Sequence, residues 1–413
     1  MNNILYKLIL FFLVFFFVIP MSMHNIGTVL LSSPIIFLVF CLFLIKENPK
    51  ILSRKIIFSL FSYLLLVIFV AAVLLIHATN SFELIAFVVY GLIIYINAIM
   101  LVTCYRCLYI DDYKYKLLRN VYLAGCINAV FTILVLLSPD VRDILYSIID
   151  TSPQNEEHLA SGIRSSGLFV FGGSLMSLFH CLIIYIGLVY IQHKKNHKNI
   201  KLSFIDLVLI FLNVIAVFLS GRMGVLILII GFLAILFFPE RFTRANRRLV
   251  LNAIFLLTAT LTGLVIFFYN EFKVFIEWAF ELFINVLSGN EATTASSEVL
   301  KSMYHFPNEI IFGEGVFSSR ELGIDSGYVL LTWYFGVFAV LATLILLFYN
   351  FLLALQNNKN RDMLAVYITC LCLILIGNFK DVYLFGSNGI TQVYFISMLL
   401  CFFSCEGKKQ IDS

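Results

Sequence analysis

Apolar runs of membrane-spanning length, separated by short polar turns, recur along nearly the whole chain and leave few folds open. They fall at about 4–22, 28–45, 56–76, 84–104, 120–138, 168–191, 203–219, 225–238, 249–269, 326–349, 363–379 and 390–405. About 20 apolar residues cross a bilayer as a helix, and 61% of 413 residues is about 250, enough for roughly a dozen spans. Charged residues make up only 13%, against the ~25% usual in soluble domains. Hydrocarbon offers the backbone no hydrogen-bond partner, so such runs must be helical. The sequence therefore predicts an all-α polytopic membrane protein of about 12 transmembrane helices, with residues 1–413 forming a single integral membrane domain. The N-terminal run has no small-x-small cleavage site behind it and is expected to be the first retained span. The nine cysteines are scattered singly, most within apolar runs, which suits small core residues better than a disulfide or metal framework.

The distribution of basic residues orients the spans. With the N-terminus inside, the cytoplasmic segments hold 21 of the 28 Lys and Arg residues, in "KENPKILSRK", "QHKKNHKNIK", "PERFTRANRR" and similar stretches. Seven remain outside: Arg142, Arg164, Arg222, Lys273, Lys301, Arg320 and Lys380. The positive-inside rule then places both termini in the cytoplasm and asks a reason of each outer arginine.

Two outer segments exceed what a turn needs. Residues 139–167 form a first longer outer loop, and residues 270–325 a large, partly helical one; connections of that length are usually functional or disordered. In "EFKVFIEWAFELFINVLSG", Phe272, Phe275, Ile276, Ala279, Phe283, Val286 and Leu287 share one face, with Lys273, Glu277 and Glu281 at i,i+4 spacing on the other. This predicts an amphipathic helix on the membrane or bundle surface, ending near Gly289. A second short helix is expected from Ser296–Ser297 to His305, stopped by Pro307.

Arg164 in "SGIRSSGLF", Arg222 in "SGRMG" and Arg320 in "SSREL" all sit at outer span ends. A guanidinium stays charged in a low dielectric and presents a fixed fork of donors that fits phosphate, pyrophosphate or carboxylate oxygens. The plainer alternative is snorkelling to headgroups, or pairing with Glu156, Glu321 or Asp381. Arg222 is the most constrained, because a turn as tight as "SGRMG" leaves it little room to wander.

His305, Glu314 and Asp325 are the acid–base candidates, each able to take a proton from an alcohol if suitably tuned. Against this, a loop histidine is commonly just solvated, and Asp325 could simply cap the span that follows it. His158 is a weaker candidate, His180 reads as a hydrogen-bonded packing residue, and "KDVYLFGSN" as a local Lys380–Asp381 pair at a helix end. No phosphate loop, dinucleotide fingerprint or zinc-hydrolase pattern is present, so no cofactor, no metal and no nucleic-acid partner is expected.

The stretch "HFPNEIIFGEGVFSSRELGIDSGYVLLTWYFGVFAVL" resembles the end of the large periplasmic loop in Wzy-type O-antigen and capsular polysaccharide polymerases and their O-antigen ligase relatives. "SGRMGVLILIIG" is similar to that family's Ser-Arg-Gly element at the head of a span, and "RSSGLFVFGGSLMSL" to its Arg-x-x-Gly-x-Phe approach to an earlier one. Phe306 follows His305 where the ligase pattern has a small polar residue, which favours the polymerase. The resemblance implies metal-independent glycosyl transfer at the periplasmic face of the bacterial inner membrane. Donor and acceptor would be glycans on undecaprenyl pyrophosphate, with membrane lipids and a chain-length regulator as further partners. Arg164, Arg222 and Arg320 would hold pyrophosphate and glycan; His305, Glu314 and Asp325 would supply the base. The alternatives are a ligase that passes glycan to lipid A core and a flippase or transporter of the lipid-linked sugar. A transporter should place its ionisable residues near the bilayer midplane; here they gather at outer span ends.

Overall fold

The computed structural model describes residues 3–47, 53–77, 82–110, 112–160, 164–170, 172–198, 203–237, scattered positions from 273 to 289, 304–315, 323–356 and 360–403. The chain is nearly all helical. The helices are α1 (Asn3–Val18), α2 (Thr28–Glu47), α3 (Arg54–Ile76), α4 (Phe82–Tyr109), α5 (Tyr113–Leu137), α6 (Pro139–Tyr146), α7 (Pro153–Ala160), α8 (Ser174–Lys198), α9 (Phe204–Ser220), α10 (Arg222–Phe237), α11 (Gly327–Leu355), α12 (Arg361–Gly377) and α13 (Ile390–Phe402). Six of them, α2, α3, α4, α5, α8 and α11, are long and apolar enough to cross a membrane. Their outward faces carry large exposed apolar side chains, such as Phe37, Leu38 and Leu42 on α2 and Phe58, Phe61 and Ile68 on α3. Hydrocarbon is the solvent that makes such faces stable. The run expected at 249–269 lies outside the described residues.

The chain divides into two compact units. The first comprises Met1–Pro20, Ile26–Ala124 and Val299–Ser413. Here α13 lies against α12 and α4, and α11 against α3. Its core is aromatic: Tyr95 stacks on Phe395 at 4.7 Å between ring centroids, and Tyr63 meets both Phe395 and Phe385. The connection from α12 to α13 is a buried plug, with Tyr383, Leu384 and Phe385 all inside. Two asparagines pair buried backbone groups of the plug, as burial requires. Asn378 Oδ1 accepts the Tyr383 N–H, and Asn388 Oδ1 accepts the Thr391 N–H at the head of α13.

The second unit comprises Met21–Asn25 and Gly125–Glu298, built on α8, α9 and α10. Ser203 and Asp206 cap α9 reciprocally, and Lys194 pairs with Asp206 at 3.2 Å. Ser138 caps α6, with Pro139 in its first turn where the missing N–H costs nothing. A fully buried histidine joins three helices. His180 Nδ1 lies 2.8 Å from Asn213 Oδ1 and its Nε2 3.1 Å from Asn128 Nδ2, which assigns a neutral ring protonated at Nδ1. Asn128 Oδ1 also accepts the Leu168 N–H at 2.9 Å, fixing the segment ahead of α8 to the bundle. His180 is thus the packing residue its apolar setting suggested.

Two boundaries differ from expectation. The run at 168–191 becomes helical only at Ser174, because Gly167 and Gly173 adopt φ of +57° and +74°, which only glycine reaches easily. The short helix expected to reach His305 does not do so: Tyr304 to Pro307 are non-helical, and residues 296–303 lie outside the described residues. Of the amphipathic segment, the described positions Lys273, Glu277, Glu281, Ile284, Asn285 and Leu287 are helical, and Lys273 pairs with Glu277 at 3.8 Å. Leu287 is exposed, as a lipid-facing side chain on this helix would be.

Candidate functional site

In the second unit, two arginines converge on a corner made of glycines. Gly221 is the single residue between the end of α9 and the start of α10. A Cβ there would lie 2.9 Å from the Gly173 carbonyl, so only glycine permits the two backbones to touch. One turn on, a Cβ at Gly224 would lie 2.7 Å from the Ser177 Cβ, and the Gly224 N–H donates to Ser177 Oγ at 3.2 Å. The first turns of α8 and α10 are thereby clasped together. Arg222 opens α10, while Arg164 approaches from the other side. The Ser165 N–H donates to the Leu219 carbonyl at 3.0 Å, and the Arg164 guanidinium passes over Gly173, 3.0 Å from where a Cβ would stand.

Each helix start carries unsatisfied N–H groups and roughly half a positive charge. Two such starts, with Arg164 lying over Gly173 ahead of one and Arg222 in the first turn of the other, make a positive site, and the side chains of Ser165 and Ser166 are buried beside it. A countercharge is Glu281, which forms an ion pair with Arg222 Nη1. Arg222 thus pairs with a residue on the polar face of the amphipathic segment, a partner that the sequence did not suggest. Arg320 lies outside the described residues, and His158 lies on α7.

The acid–base candidates gather in the first unit. Gly336 interrupts α11 with φ of +79°, and a Cβ there would overlap the Ile311 carbonyl oxygen. The break leaves backbone groups of α11 without helical partners, and the loop "IIFGEG" takes them. The Val337 N–H donates to the Ile310 carbonyl at 2.8 Å, and the N–H groups of Glu314 and Gly315 both reach the Trp333 carbonyl. Gly313 fits this contact at φ of +73°. The Glu314 carboxylate accepts the Asn308 N–H at 2.9 Å, which makes it a brace for its own loop. His305 is held by its backbone, whose carbonyl accepts from Trp333 Nε1 at 2.9 Å, and its ring is exposed.

Asp325 does not cap α11. Ser326 is the N-cap residue, its buried Oγ has no partner among the described residues, and Asp325 stands exposed just outside. Gly327 packs directly on the Asp381 carbonyl, and the Tyr328 N–H donates to the Asn378 carbonyl at 3.1 Å. The start of α11 is thus fastened to the plug between α12 and α13, bringing Asp381 near Asp325. Desolvation pushes the Asp381 carboxyl up to about 7; the nearby Asp325 charge adds to the rise, while the Val382 N–H and Lys380 oppose it. Reading Asp381 as no more than half of a local lysine pair missed this, since the burial comes from α11, more than 50 residues away in sequence.

Among the described residues, no three His, Cys, Asp or Glu side chains gather as a metal site requires. No protein-family model matches the chain, and no curated protein matches it significantly.

Proposed function

We propose that the protein polymerises undecaprenyl-pyrophosphate-linked oligosaccharide repeat units at the periplasmic face of the bacterial inner membrane, with both termini in the cytoplasm. The observation that carries this reading is the positive corner at Arg164 and Arg222. Its chemistry suits a pyrophosphate, an anion that accumulates further charge as it leaves the donor sugar. Fixed guanidiniums and helix N-termini stabilise that charge without reorganising. Arg222 is then released from Glu281 to the ligand, and Arg320, outside the described residues, is proposed as a further substrate contact.

Glycosyl transfer also needs a base for the acceptor hydroxyl. That role goes to the acidic pair Asp325 and Asp381, since a carboxyl titrating near 7 can both accept and hold a proton at the working pH. His305 is the reserve candidate, and Glu314 supports the loop. The acceptor oxygen attacks the anomeric carbon, the bond to pyrophosphate breaks, the lipid pyrophosphate leaves with the electron pair, and the proton goes to the carboxylate.

The test is Arg222→Lys in cells carrying the complete polysaccharide machinery. Lysine keeps the charge but loses the two-pronged contact, and activity should fall about a hundredfold or more while the protein stays inserted. Surface lipopolysaccharide, where that is the destination, should then carry a single repeat unit. Bare core with polymer left on the lipid would indicate a ligase, and single units trapped inside a flippase. Normal chain lengths with both Arg222→Lys and Arg320→Lys would remove the arginines from the reaction.

A further inference from the structure

Beside the positive corner, α6 and α7 enclose a cleft of about 650 Å³ lined by Arg142, Asp143, Tyr146, Ser147, Glu156 and Leu159. Its volume falls within the roughly 300–1,000 Å³ of small-molecule sites. Arg142, Asp143, Tyr146 and Ser147 occupy one face of α6. Away from that face, Ile144 of α6 and Ile148 in the turn after it are 66% and 55% exposed. A short helix polar on one side and bare apolar on the other suits the boundary between headgroups and acyl chains, with the cleft opening toward the aqueous side.

The cleft is tied to the corner by hydrogen bonds. Tyr146 Oη lies 3.5 Å from Ser166 Oγ. Asn155, next to Glu156, donates to the Val170 carbonyl at 2.6 Å and accepts the Gly172 N–H at 3.0 Å. Gly172 adjoins the Gly173 over which Arg164 lies. The two neighbours differ in charge: the corner gathers arginines and helix starts, whereas the cleft sets two carboxylates against one guanidinium, Arg142 and Asp143 being 3.4 Å apart. A second anion is therefore disfavoured in the cleft. Its carboxylates and guanidinium offer the paired acceptors and donors that match neighbouring hydroxyls, and the Tyr146 ring offers an apolar face to the flat side of a sugar.

We infer that the cleft between α6 and α7 binds a sugar ring, neutral or amino-bearing, of the glycan whose pyrophosphate sits at Arg164 and Arg222. This rests on the polymerase reading. The pyrophosphate anchors one end of the substrate, and the cleft selects the sugar beside it.

The test compares two probes on the purified full-length protein in lipid nanodiscs: undecaprenyl pyrophosphate, and the same lipid bearing the repeat unit isolated from cells that lack this protein. The unmodified protein should bind the glycosylated lipid at least about tenfold more tightly. Glu156→Gln and Tyr146→Ala should each bring that ratio close to one while leaving affinity for the bare lipid unchanged, and Tyr146→Phe should preserve it. Glu156 is exposed, so its variant reports even if Tyr146→Ala lowers the melting temperature. A ratio near one in the unmodified protein, or a ratio preserved in Glu156→Gln, would overturn the sugar cleft and leave the pyrophosphate site standing. Binding of neither lipid would overturn both.

Discussion

The positive corner at Gly173 and Gly221 and the acidic region at Gly327 and Gly336 are both made by glycines that let backbone touch backbone, yet they hold their charges differently. In the positive corner the glycines join two helix starts, so the scaffold itself contributes positive potential and the arginines add to it. A carboxylate from elsewhere in the same unit, Glu281, balances the sum. In the acidic region Gly336 breaks α11 and the freed backbone groups hold the Glu314 loop, while Gly327 packs the start of α11 on the Asp381 carbonyl and brings that carboxyl near Asp325, with Lys380 and the Val382 N–H offsetting only part of the effect. Asp381 responds by keeping its proton up to about pH 7. The first arrangement suits holding an anion, and the second suits moving a proton.

The sharpest way to break this comparison is through the glycines. Gly336→Ala combines a left-handed φ with overlap of the Ile311 carbonyl, and should cost roughly 3 kcal/mol or more. The loop at 310–315 should detach, with a large fall in melting temperature. Gly221→Ala meets backbone at 2.9 Å without a left-handed φ, and should cost about 1–3 kcal/mol. Equal losses would mean the two corners are not built as described. Gly231→Ala, with open space around it, serves as the control.

A smaller effect separates proton transfer from stability. Asp381 is protonated in the folded protein up to about 7 but ionises near its ordinary value of 3.8 when unfolded. Between about pH 4 and 7 the folded state therefore binds more protons, so stability falls as pH rises across that window and levels off above it. The proposed glycosyl transfer, in which the carboxylate is the base, should speed up over the upper part of the same range. Asp381→Asn should flatten the stability profile and lower activity at neutral pH. A flat stability profile in the unmodified protein would contradict the raised carboxyl.

The smallest expected effect is at the counterion. Glu281→Gln removes the negative charge competing for Arg222, and should strengthen binding of inorganic pyrophosphate by a few-fold, more at low salt than at high. Weaker binding would make Glu281 part of the ligand site rather than its placeholder.

Much of this was legible in the sequence, and the limits follow from physics. The apolar runs announced the helices because hydrocarbon imposes one solution on them. The outer arginines stood out because they oppose the charge bias. What joined Arg164 to Arg222 could not be read, since the contact runs through Gly173 and Gly221, 48 residues apart and unmarked by any local pattern. Asn128 and Asn213 escaped notice because a single asparagine in an apolar run looks incidental until His180 supplies its partner. Asp381 was undervalued because its environment comes from Gly327, far off in sequence. Glu281 was placed on the right face of its helix, but nothing local to it pointed to Arg222.

On the proposed function, Arg164 and Arg222 together hold a lipid pyrophosphate. The direct measurement is the affinity of the full-length protein in nanodiscs for undecaprenyl pyrophosphate against undecaprenyl phosphate, with Arg164→Gln, Arg222→Gln and the double variant. A clear preference for the pyrophosphate is expected, with a loss of about tenfold or more in each single variant and a double variant that no longer distinguishes the two lipids. Unchanged preference in the double variant, in protein that remains folded, would contradict it.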